Sequence, residues 1–417
     1  MSNDVERPSR PIPEYRLGPR AASVERVSGV VGALGLLLCV AGFFANRAEF
    51  FQSYLFAFIY WGGFAIGGLG VLLLNHVVGG RWGVTARRFF EAKMRTLPLM
   101  FLFFLVLLLG MKYLYPWTHS DLVHGNEYLR AKQSYLNVPF FFVRVCIYFA
   151  LWLFWGLRVN RMSDLQDKTG DPALRERMRA FSAPGLLVFV LCATFAYIDW
   201  VLSSDAQYYS TVYGAMILIG DVLQTFALTL VVMILASQGD RFGGRINPVI
   251  LHDLGNLMFA FTIFWTYLSV SQLIITWPAN LPQELQWYLD RVHGPWKWLA
   301  LIIALSMFTI PFLALLSQAR KRDPKRLIRV AIWLLLARII DVFWIVEPTF
   351  RNRTPSGLLA TTTGFTIYWT DFAAFFGIGG IWVYAYLRQL RQRPLLPLRD
   401  PRVMSPMVTE QLPEAAA

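Results

Sequence analysis

Long apolar runs separated by short, arginine-rich polar stretches dominate the chain. A helix needs ~20 predominantly apolar residues to cross the hydrocarbon of a bilayer, and ten runs reach that length. The predicted membrane-spanning helices are Val24–Asn46, Gln52–Val78, Thr96–Tyr115, Val138–Val159, Ala183–Ser203, Tyr208–Ala236, Leu251–Trp277, Pro295–Ser317, Leu327–Val346 and Phe365–Leu387. The pattern predicts an all-α integral membrane protein with about ten transmembrane helices.

The polar ends of the chain lie outside this transmembrane domain, which covers residues 24–390. Residues 1–23 are predicted to form an N-terminal tail, because Met1 to Arg20 contains no apolar core of the kind that a cleaved signal peptide needs. Residues 391–417 are predicted to form a C-terminal tail. The connections between the helices are too short to be soluble catalytic domains.

The distribution of lysine and arginine predicts the orientation of the helices. Of the 39 Lys and Arg residues, 29 lie in the tails and in alternate loops and helix ends, and eight lie on the other side. Because positively charged connections stay in the cytoplasm, both termini are predicted to be cytoplasmic, in a bacterial inner membrane. This arrangement requires an even number of helices, which ten satisfies.

Composition supports a membrane protein, and it argues against nucleic-acid binding, covalent haem and iron–sulfur clusters in this chain. Hydrophobic residues make up 56% of the chain and charged residues 16%, whereas roughly a quarter of residues are charged in soluble proteins. The net charge of +13 is spread between apolar runs, which fits orientation signals and anionic lipid headgroups, so nucleic acid is not an expected partner. The three cysteines have no CxxC or CxxCH spacing, which excludes covalent haem c and a cysteine-ligated iron–sulfur cluster within this chain.

Haem b in a helical bundle needs axial histidines on facing helices at matching depth. None of the five histidines lies near the centre of a predicted helix: His76, His119, His124, His252 and His293. His76 and His252 are both near the cytoplasmic side, but an interfacial helix start explains His252 more simply than haem ligation does. No cofactor and no metal are therefore expected in this chain.

Similar short motifs end the second and the sixth predicted helix. Gly80-Arg81-Trp82-Gly83 follows the second helix, and Asp240-Arg241-Phe242-Gly243 follows the sixth. Since internal repeats are common in membrane folds, we expect two four-helix bundles, helices 2–5 and 6–9, flanked by helices 1 and 10. The alternative is that both motifs are ordinary turn sequences of the kind that commonly follow a helix. The glycine-rich stretch from Trp61 to Gly70 is predicted to allow close helix packing.

Ionisable residues inside the predicted helices are the strongest functional signal. Each costs at least ~2.5–3.5 kcal/mol at a helix centre unless it is paired or hydrated. The candidates for a proton path are Asp199, Asp221, His252, Asp253, Asp341, Glu347 and Asp371, and the candidates for structural ion pairs are Arg144 and Arg338. Counted from the helix ends, these residues form a discontinuous polar ladder, with Asp221, Arg338 and Asp341 near the middle of the membrane.

Sequence spacing suggests some of the ion pairs. Arg338 and Asp341 are three residues apart on one helix, so their side chains are neighbours. Arg144 needs a carboxylate from another helix, and Asp199 or Asp371 is the natural candidate. Such pairs can fix helix register or can belong to a proton path, and both roles stay open. Asp221 has no basic residue nearby in the sequence, which makes it the preferred proton carrier.

Eight blocks of sequence carry a family resemblance: Tyr54–Gly83, Arg95–Met100, Tyr135–Tyr148, Ser182–Gly185, Asp199–Trp200, Tyr208–Gly214, Asp253–Pro278 and Asn280–Pro282. Together they cover most of the chain from Gln52 to Phe312, and they resemble the ActF subunit of alternative complex III. The resemblance implies a fold like that of the NrfD and polysulfide-reductase membrane subunits, with two four-helix bundles and two flanking helices.

The resemblance also implies a function. The chain would be a cofactor-free, non-catalytic membrane subunit of a quinol-oxidising electron-transfer complex that supports assembly. Haem c and iron–sulfur clusters would lie in partner subunits, namely a multihaem cytochrome, an iron–sulfur protein and an ActC-like membrane subunit, which connect the complex to the quinol pool. A role in proton translocation, implied by the same resemblance, would fall on the intramembrane carboxylates.

A rival function from another class is an autonomous secondary transporter or ion-conducting membrane protein. Transporters often break their helices with glycine or proline near the midplane of the membrane. Pro98, Pro139, Pro184, Pro295 and Pro311 mostly lie near predicted helix ends. This placement argues against the rival without removing it.

Overall fold

A computed structural model describes residues 15–205, 207–237, 247–279, 281–292, 294–351, 365–397 and 399–400. In these ranges every regular element is helical, which confirms the prediction of an all-α fold. The α-helices are α1 (Pro19–Ala45), α2 (Arg47–Val78), α3 (Arg81–Met94), α4 (Leu97–Leu109), α5 (Met111–Leu114), α6 (Ser120–Gly125), α7 (Glu127–Ala131), α8 (Val138–Thr169), α9 (Ala173–Trp200), α10 (Tyr213–Ser237), α11 (Pro248–Ala279), α12 (Pro282–Val292), α13 (Trp296–Ile303), α14 (Ile310–Leu316), α15 (Gln318–Arg322), α16 (Pro324–Val346), α17 (Pro348–Arg351) and α18 (Trp369–Arg391).

Nine helical segments of the described residues are long and apolar enough to cross a membrane. They are α1, α2, α3 with α4, α8, α9, α10, α11, α13 with α14, and α18. Six π-helical residues, Ala304–Thr309, join α13 to α14. The remaining predicted span forms as α16, whose 23 residues include Arg329, Arg338 and Asp341. These three charges, and not a lower apolar content, keep α16 out of the nine segments.

Helix contacts occur within each predicted set of four helices, but α10 also packs against α2 and α9 of the first set, so the two sets form one bundle. In the first set α2 packs against α4 and α9, and α8 packs against α9 and α4; in the second, α10 packs against α11 and α16, and α13 packs against α16. Contact between α2 and α10 joins the two sets, while α1 and α18 pack against each other and against α2. The motif Asp240–Gly243 and His293 lie outside the described residues, as do residues 1–14 and 401–417 of the tails.

The bundle has two ends. We call one end the basic face: there α2 ends and α3 begins, and Arg81 contacts Asp253 near the start of α11. We call the other end the opposite face: there α16 ends and α18 begins, and Arg351 contacts Asp371. The ten segments run alternately between these two faces.

The third predicted helix is wrong in its position. Residues 81–95 were expected in a connection, because they carry five cationic side chains, but Arg81–Met94 is a helix with its side chains largely buried. Together with α4 it forms one segment, Arg81–Leu109, interrupted at Arg95 and Thr96. Pro98 explains the interruption, since its ring clashes with the carbonyl four residues earlier and it has no backbone donor. Pro98 therefore lies within a span and not at its end.

The predicted C-terminal tail begins with a packed segment. Leu395 donates its backbone N–H to the carbonyl of Tyr15 at 2.8 Å. Asp400 is fully buried and lies 3.2 Å from Arg87 of α3, also fully buried. The described residues after α18 thus cover the basic face.

Glycine allows α1 and α18 to pack backbone to backbone. A Cβ atom at Gly35 would lie 2.5 Å from the Cα of Gly377, and one at Gly380 would lie 2.4 Å from the backbone nitrogen of Gly32. Backbone atoms cannot move aside as a flexible side chain can.

We therefore expect Gly35→Ala to destabilise the protein by about 1–3 kcal/mol, the usual cost of overpacking. In a helix alanine is otherwise more favourable than glycine, so without this backbone contact the substitution would stabilise the protein. Thermal unfolding in detergent measures the effect. Gly125→Ala is the control, because nothing lies within 4 Å of a Cβ there. An unchanged melting temperature for Gly35→Ala would show that the two helices are not in backbone contact.

Candidate functional site

Two carboxylates and one guanidinium meet inside the bundle, where α10 faces α16. Arg338 Nη2 donates to Asp221 Oδ1 at 3.1 Å, and Arg338 Nη1 donates to Asp341 Oδ2. Tyr197 of α9 donates its hydroxyl to the second oxygen of Asp221. No more than 2% of any of these residues is exposed. We call the four residues the central cluster; with both carboxylates ionised it carries one net negative charge.

The central cluster confirms one predicted pair and corrects another expectation. Arg338 and Asp341 are neighbours on α16, as their spacing predicts. Asp221, which has no basic residue nearby in the sequence, is paired with the same arginine, so the preference for it as a proton carrier can no longer rest on the lack of a basic neighbour. The sequence did not indicate this contact, since the two residues are 117 positions apart and no local spacing links them.

Glycine makes the space for this cluster. A Cβ atom at Gly220 would lie 2.3 Å from Cζ of Arg338, and one at Gly63 of α2 would lie 2.4 Å from Asp221 Oδ1 and from Gln224 Nε2. Any larger residue at either position would displace the charged groups. The close packing predicted for the glycine-rich stretch of α2 is confirmed, and its neighbours include the buried charges.

A balanced ion pair lies closer to the opposite face, between α8 and α9. Arg144 Nε donates to Asp199 Oδ2 at 2.7 Å and Nη2 donates to Oδ1 at 3.0 Å. Tyr148 donates its hydroxyl to Asp199 at 2.8 Å, and the guanidinium lies over the ring of Tyr135 at 3.8 Å from its centroid. Of the two predicted partners for Arg144, the structure selects Asp199 and not Asp371.

Asp371 belongs to a second cluster at the opposite face. Arg351 Nη2 donates to both of its oxygens at 2.7 and 2.9 Å, and Ser53 of α2 donates to it at 2.6 Å. The same arginine donates from Nε to Glu347 at 2.8 Å. Arg351 and Ser53 were not predicted, because an arginine in a connection looks like a solvated charge and serine carries no charge signal.

Glu347 lies just beyond the last residue of α16 and is fully buried. Burial raises the pKa of its carboxyl from 4.5 to about 8; Arg351 opposes the shift and Asp371 adds to it. Among the described residues its Oε1 atom has no hydrogen-bond partner. A carboxyl of this kind exchanges its proton close to neutral pH.

The buried charges of α3 at the basic face were also missed. Glu91 lies 2.9 Å from Arg87 and 2.6 Å from Arg88, and Ser163 of α8 donates to it at 2.6 Å. Further along α3, Lys93 is fully buried against α10. A buried helix with so many charges has no hydropathy signal, but the four-residue spacing of Arg87 and Glu91 is typical of an intrahelical pair.

His252 and Asp253 lie at the start of α11, at the basic face. Asp253 accepts from Arg81 Nε at 3.1 Å and is partly exposed. His252 Nδ1 is 3.4 Å from the side-chain nitrogen of Asn256. Both residues lie near the start of α11, and these contacts do not include any member of the central cluster.

Removal of one partner from the Arg144–Asp199 pair is expected to destabilise the protein strongly. Arg144→Leu leaves Asp199 buried without its counter-charge, which costs about 3–5 kcal/mol, whereas Arg144→Leu with Asp199→Leu removes both charges and recovers most of the loss. Thermal unfolding of the two variants in detergent tests this. Equal destabilisation by both variants would mean that the coupling between the two charges is negligible.

The pKa of Glu347 predicts a pH dependence of stability. Because the folded state holds this proton up to about pH 8 and the unfolded state releases it near pH 4.5, stability falls as the pH rises between these values and levels off above them. Glu347→Gln should flatten this dependence by up to a few kcal/mol. Melting temperatures of both proteins between pH 5 and 9 measure it, with the exposed Glu127→Gln as control. Identical slopes for Glu347→Gln and wild type would contradict the burial argument.

The described residues contain no group of three or more His, Cys, Asp or Glu side chains that could hold a metal ion. Their buried charged groups include carboxylates paired with arginines, and tyrosine hydroxyls donate to two of these carboxylates, Asp199 and Asp221. In comparisons with known proteins, the chain matches no family model and no curated protein.

Proposed function

We propose that this chain is a cofactor-free membrane subunit of a quinol-oxidising electron-transfer complex of the alternative complex III type, and that its buried carboxylates form part of a proton path. The observation that carries the proton path is the uneven charge of the central cluster. Two carboxylates share one arginine, so one negative charge lies in the bundle without a counter-charge inside the cluster. A proton is the smallest species that neutralises it.

An ion pair that only holds two helices together does not need an excess of carboxylates over arginines. Arg144 and Asp199 form a balanced pair with two direct hydrogen bonds, which suits a role in fixing α8 against α9. The central cluster keeps a second carboxylate, Asp341, although one would suffice to balance Arg338. Charged groups retained in lipid at a cost usually have a use.

The polar groups extend from the central cluster toward both faces. Glu347 and Asp371 lie at the opposite face, and Glu91 with its two arginines lies at the basic face. Because most of the positive charge of the chain is at the basic face, we assign that face to the cytoplasm of a bacterial cell. The proposed path then leads from the cytoplasm through the central cluster to the periplasmic side.

The electron-transfer assignment rests on the resemblance of the sequence blocks to the ActF subunit. In such a complex the redox chemistry belongs to partner subunits, a multihaem cytochrome, an iron–sulfur protein and an ActC-like membrane subunit. This chain would then support their assembly and couple proton movement to electron transfer, without carrying electrons itself.

One observation favours the rival function, a secondary transporter. The segment from Arg81 to Leu109 is broken at Arg95 and Thr96, inside a span, and the segment from Trp296 to Leu316 contains a π-helical turn. Discontinuous helices line the substrate sites of many transporters. A transporter would act alone, however, and would not be expected to copurify with haem proteins.

The proton path is tested by neutralising its carboxylates in the whole complex. In liposomes containing the complex, Asp221→Asn and Asp371→Asn are expected to keep at least half of the quinol oxidation rate while proton movement beyond that of the redox chemistry falls at least tenfold. The physical reason is that an amide fills the space of a carboxyl group but cannot take up and release the proton.

Proton uptake and release are recorded together with quinol oxidation, with Asp121→Asn as control, since Asp121 is an exposed residue of α6. Assembled Asp221→Asn and Asp371→Asn complexes that match wild type in both quantities would show that these carboxylates are structural, and the proton path would have to be abandoned.

A further inference from the structure

Lys93 is a buried cation that is not among the residues assigned above to the proton path. Its side chain is fully buried between α3, α2, α10 and α18. Its Nζ atom donates to the carbonyl oxygen of Thr225 at 3.0 Å and to the hydroxyl of Thr229. The rings of Phe90 and Tyr386 lie 5.5 and 5.6 Å from it. Within the described part of the chain, no carboxylate contacts this ammonium group.

Helix α2 approaches Lys93 closely. A Cβ atom at Gly68 of α2 would lie 2.6 Å from the Cβ of Lys93, so this approach requires a glycine in α2 at the point of contact. The nearest carboxylate along α3 is Glu91, two residues earlier, and residues two apart on a helix do not face each other. Glu91 is in any case occupied by Arg87 and Arg88. An apolar residue would fill the position of Lys93 without burying a charge.

One polar stripe of α10 contributes Asp221 to the central cluster and contacts Lys93 through Thr225 and Thr229. Asp221, Thr225 and Thr229 are spaced at four-residue intervals, which places them on one face of the helix. At 1.5 Å per residue, Asp221 and Thr229 are about 12 Å apart along the axis, and Thr229 is about 12 Å from the end of α10 at Ser237. Lys93 therefore lies between the central cluster and the basic face.

Polar atoms without a hydrogen-bond partner in the described part of the chain belong to residues that lie next to the two charged sites. Thr225 Oγ1, Gln224 Oε1 and the hydroxyl of Tyr386 are buried and have no hydrogen-bond partner among the described residues. Hydroxyl and amide groups of this kind can hydrogen-bond to a proton carrier. A Cβ atom at Gly67 of α2 would lie 2.5 Å from Thr225 Oγ1, so glycine lets α2 pack directly against this stripe.

The charges of the two sites are complementary. The central cluster carries one net negative charge when its carboxylates are ionised, and Lys93 carries one positive charge when it is protonated. Transfer of one proton from the ammonium group to a carboxylate turns an amine cation and a carboxylate anion into a neutral amine and a neutral acid. The combined charge of Lys93 and the central cluster is zero before and after the transfer.

We propose that Lys93 is the proton-exchanging group of the basic half of the path and shares one proton with the central cluster along the Thr229–Thr225–Asp221 stripe. Lys93 receives the proton from the basic face and passes it toward Asp221. This assignment rests on the proposed proton path, and it adds the residue that connects the central cluster to the basic face.

The test compares variants of Lys93 in liposomes containing the whole complex, with quinol oxidation and proton movement recorded separately. Lys93→Met and Lys93→Gln are expected to keep quinol oxidation within twofold of wild type and to lower the additional proton movement at least tenfold. Glutamine keeps a donor for the Thr225 carbonyl, so loss in both variants separates proton exchange from hydrogen bonding. Lys321→Met is the matched control, because Lys321 is also a buried lysine, and its hydrogen bond is to Asn256.

Lys93→Arg distinguishes proton exchange from a fixed charge. An arginine stays protonated and cannot release its proton, so it is expected to fail like methionine. Restored proton movement with arginine, or wild-type proton movement with methionine or glutamine, would overturn the assignment of Lys93. If Asp221→Asn abolishes the additional proton movement while Lys93→Met does not, the path stands and the role of Lys93 fails; if neither has an effect, the path itself fails.

Discussion

A charge inside a lipid-embedded bundle must be compensated by groups from neighbouring helices, and this constraint determines how the helices of this protein meet. Arg144 joins α8 to α9, Arg338 joins α16 to α10, and Arg351 joins the end of α16 to α18. Apolar side chains alone give little preference for one register, since lipid tails are as apolar as leucine. The arginine contacts supply that preference.

Helix α2 provides the space in which these contacts form. In its apolar core 89% of the residues are buried, against 22% for α1, so α2 lies at the centre of the bundle. Three of its glycines face charged or polar residues of other helices: Gly63 faces Asp221, Gly67 faces Thr225 and Gly68 faces Lys93. Glycines allow a helix to pack tightly against a neighbour of any kind. In this protein one such neighbour of α2 is the polar stripe of α10. The same geometry positions the groups to which we assign proton exchange.

The sequence predicted the features that depend on local pattern. Nine spans and the helix of the tenth follow from apolar length, and the Arg338–Asp341 pair follows from a spacing of three residues. The contact of Arg338 with Asp221 could not be predicted, because it depends on how α10 and α16 pack. Helix α3 was missed because its charges are satisfied by α8 and by residues after α18, and hydropathy counts such charges as solvent-exposed. Lys93 was missed because hydropathy likewise counts its charge as solvent-exposed, although its ammonium group hydrogen-bonds to α10.

We propose that this charged interior serves a redox complex and not an autonomous solute path. The most direct measurement is purification of the affinity-tagged chain from its native membrane in mild detergent, followed by haem absorption, electron paramagnetic resonance of iron–sulfur clusters and quinol oxidation of the isolated material. The account predicts haem c, iron–sulfur signals and quinol oxidation in stoichiometric association with the chain. A chain that purifies alone, without redox centres or quinol oxidation, would contradict it and favour a transporter.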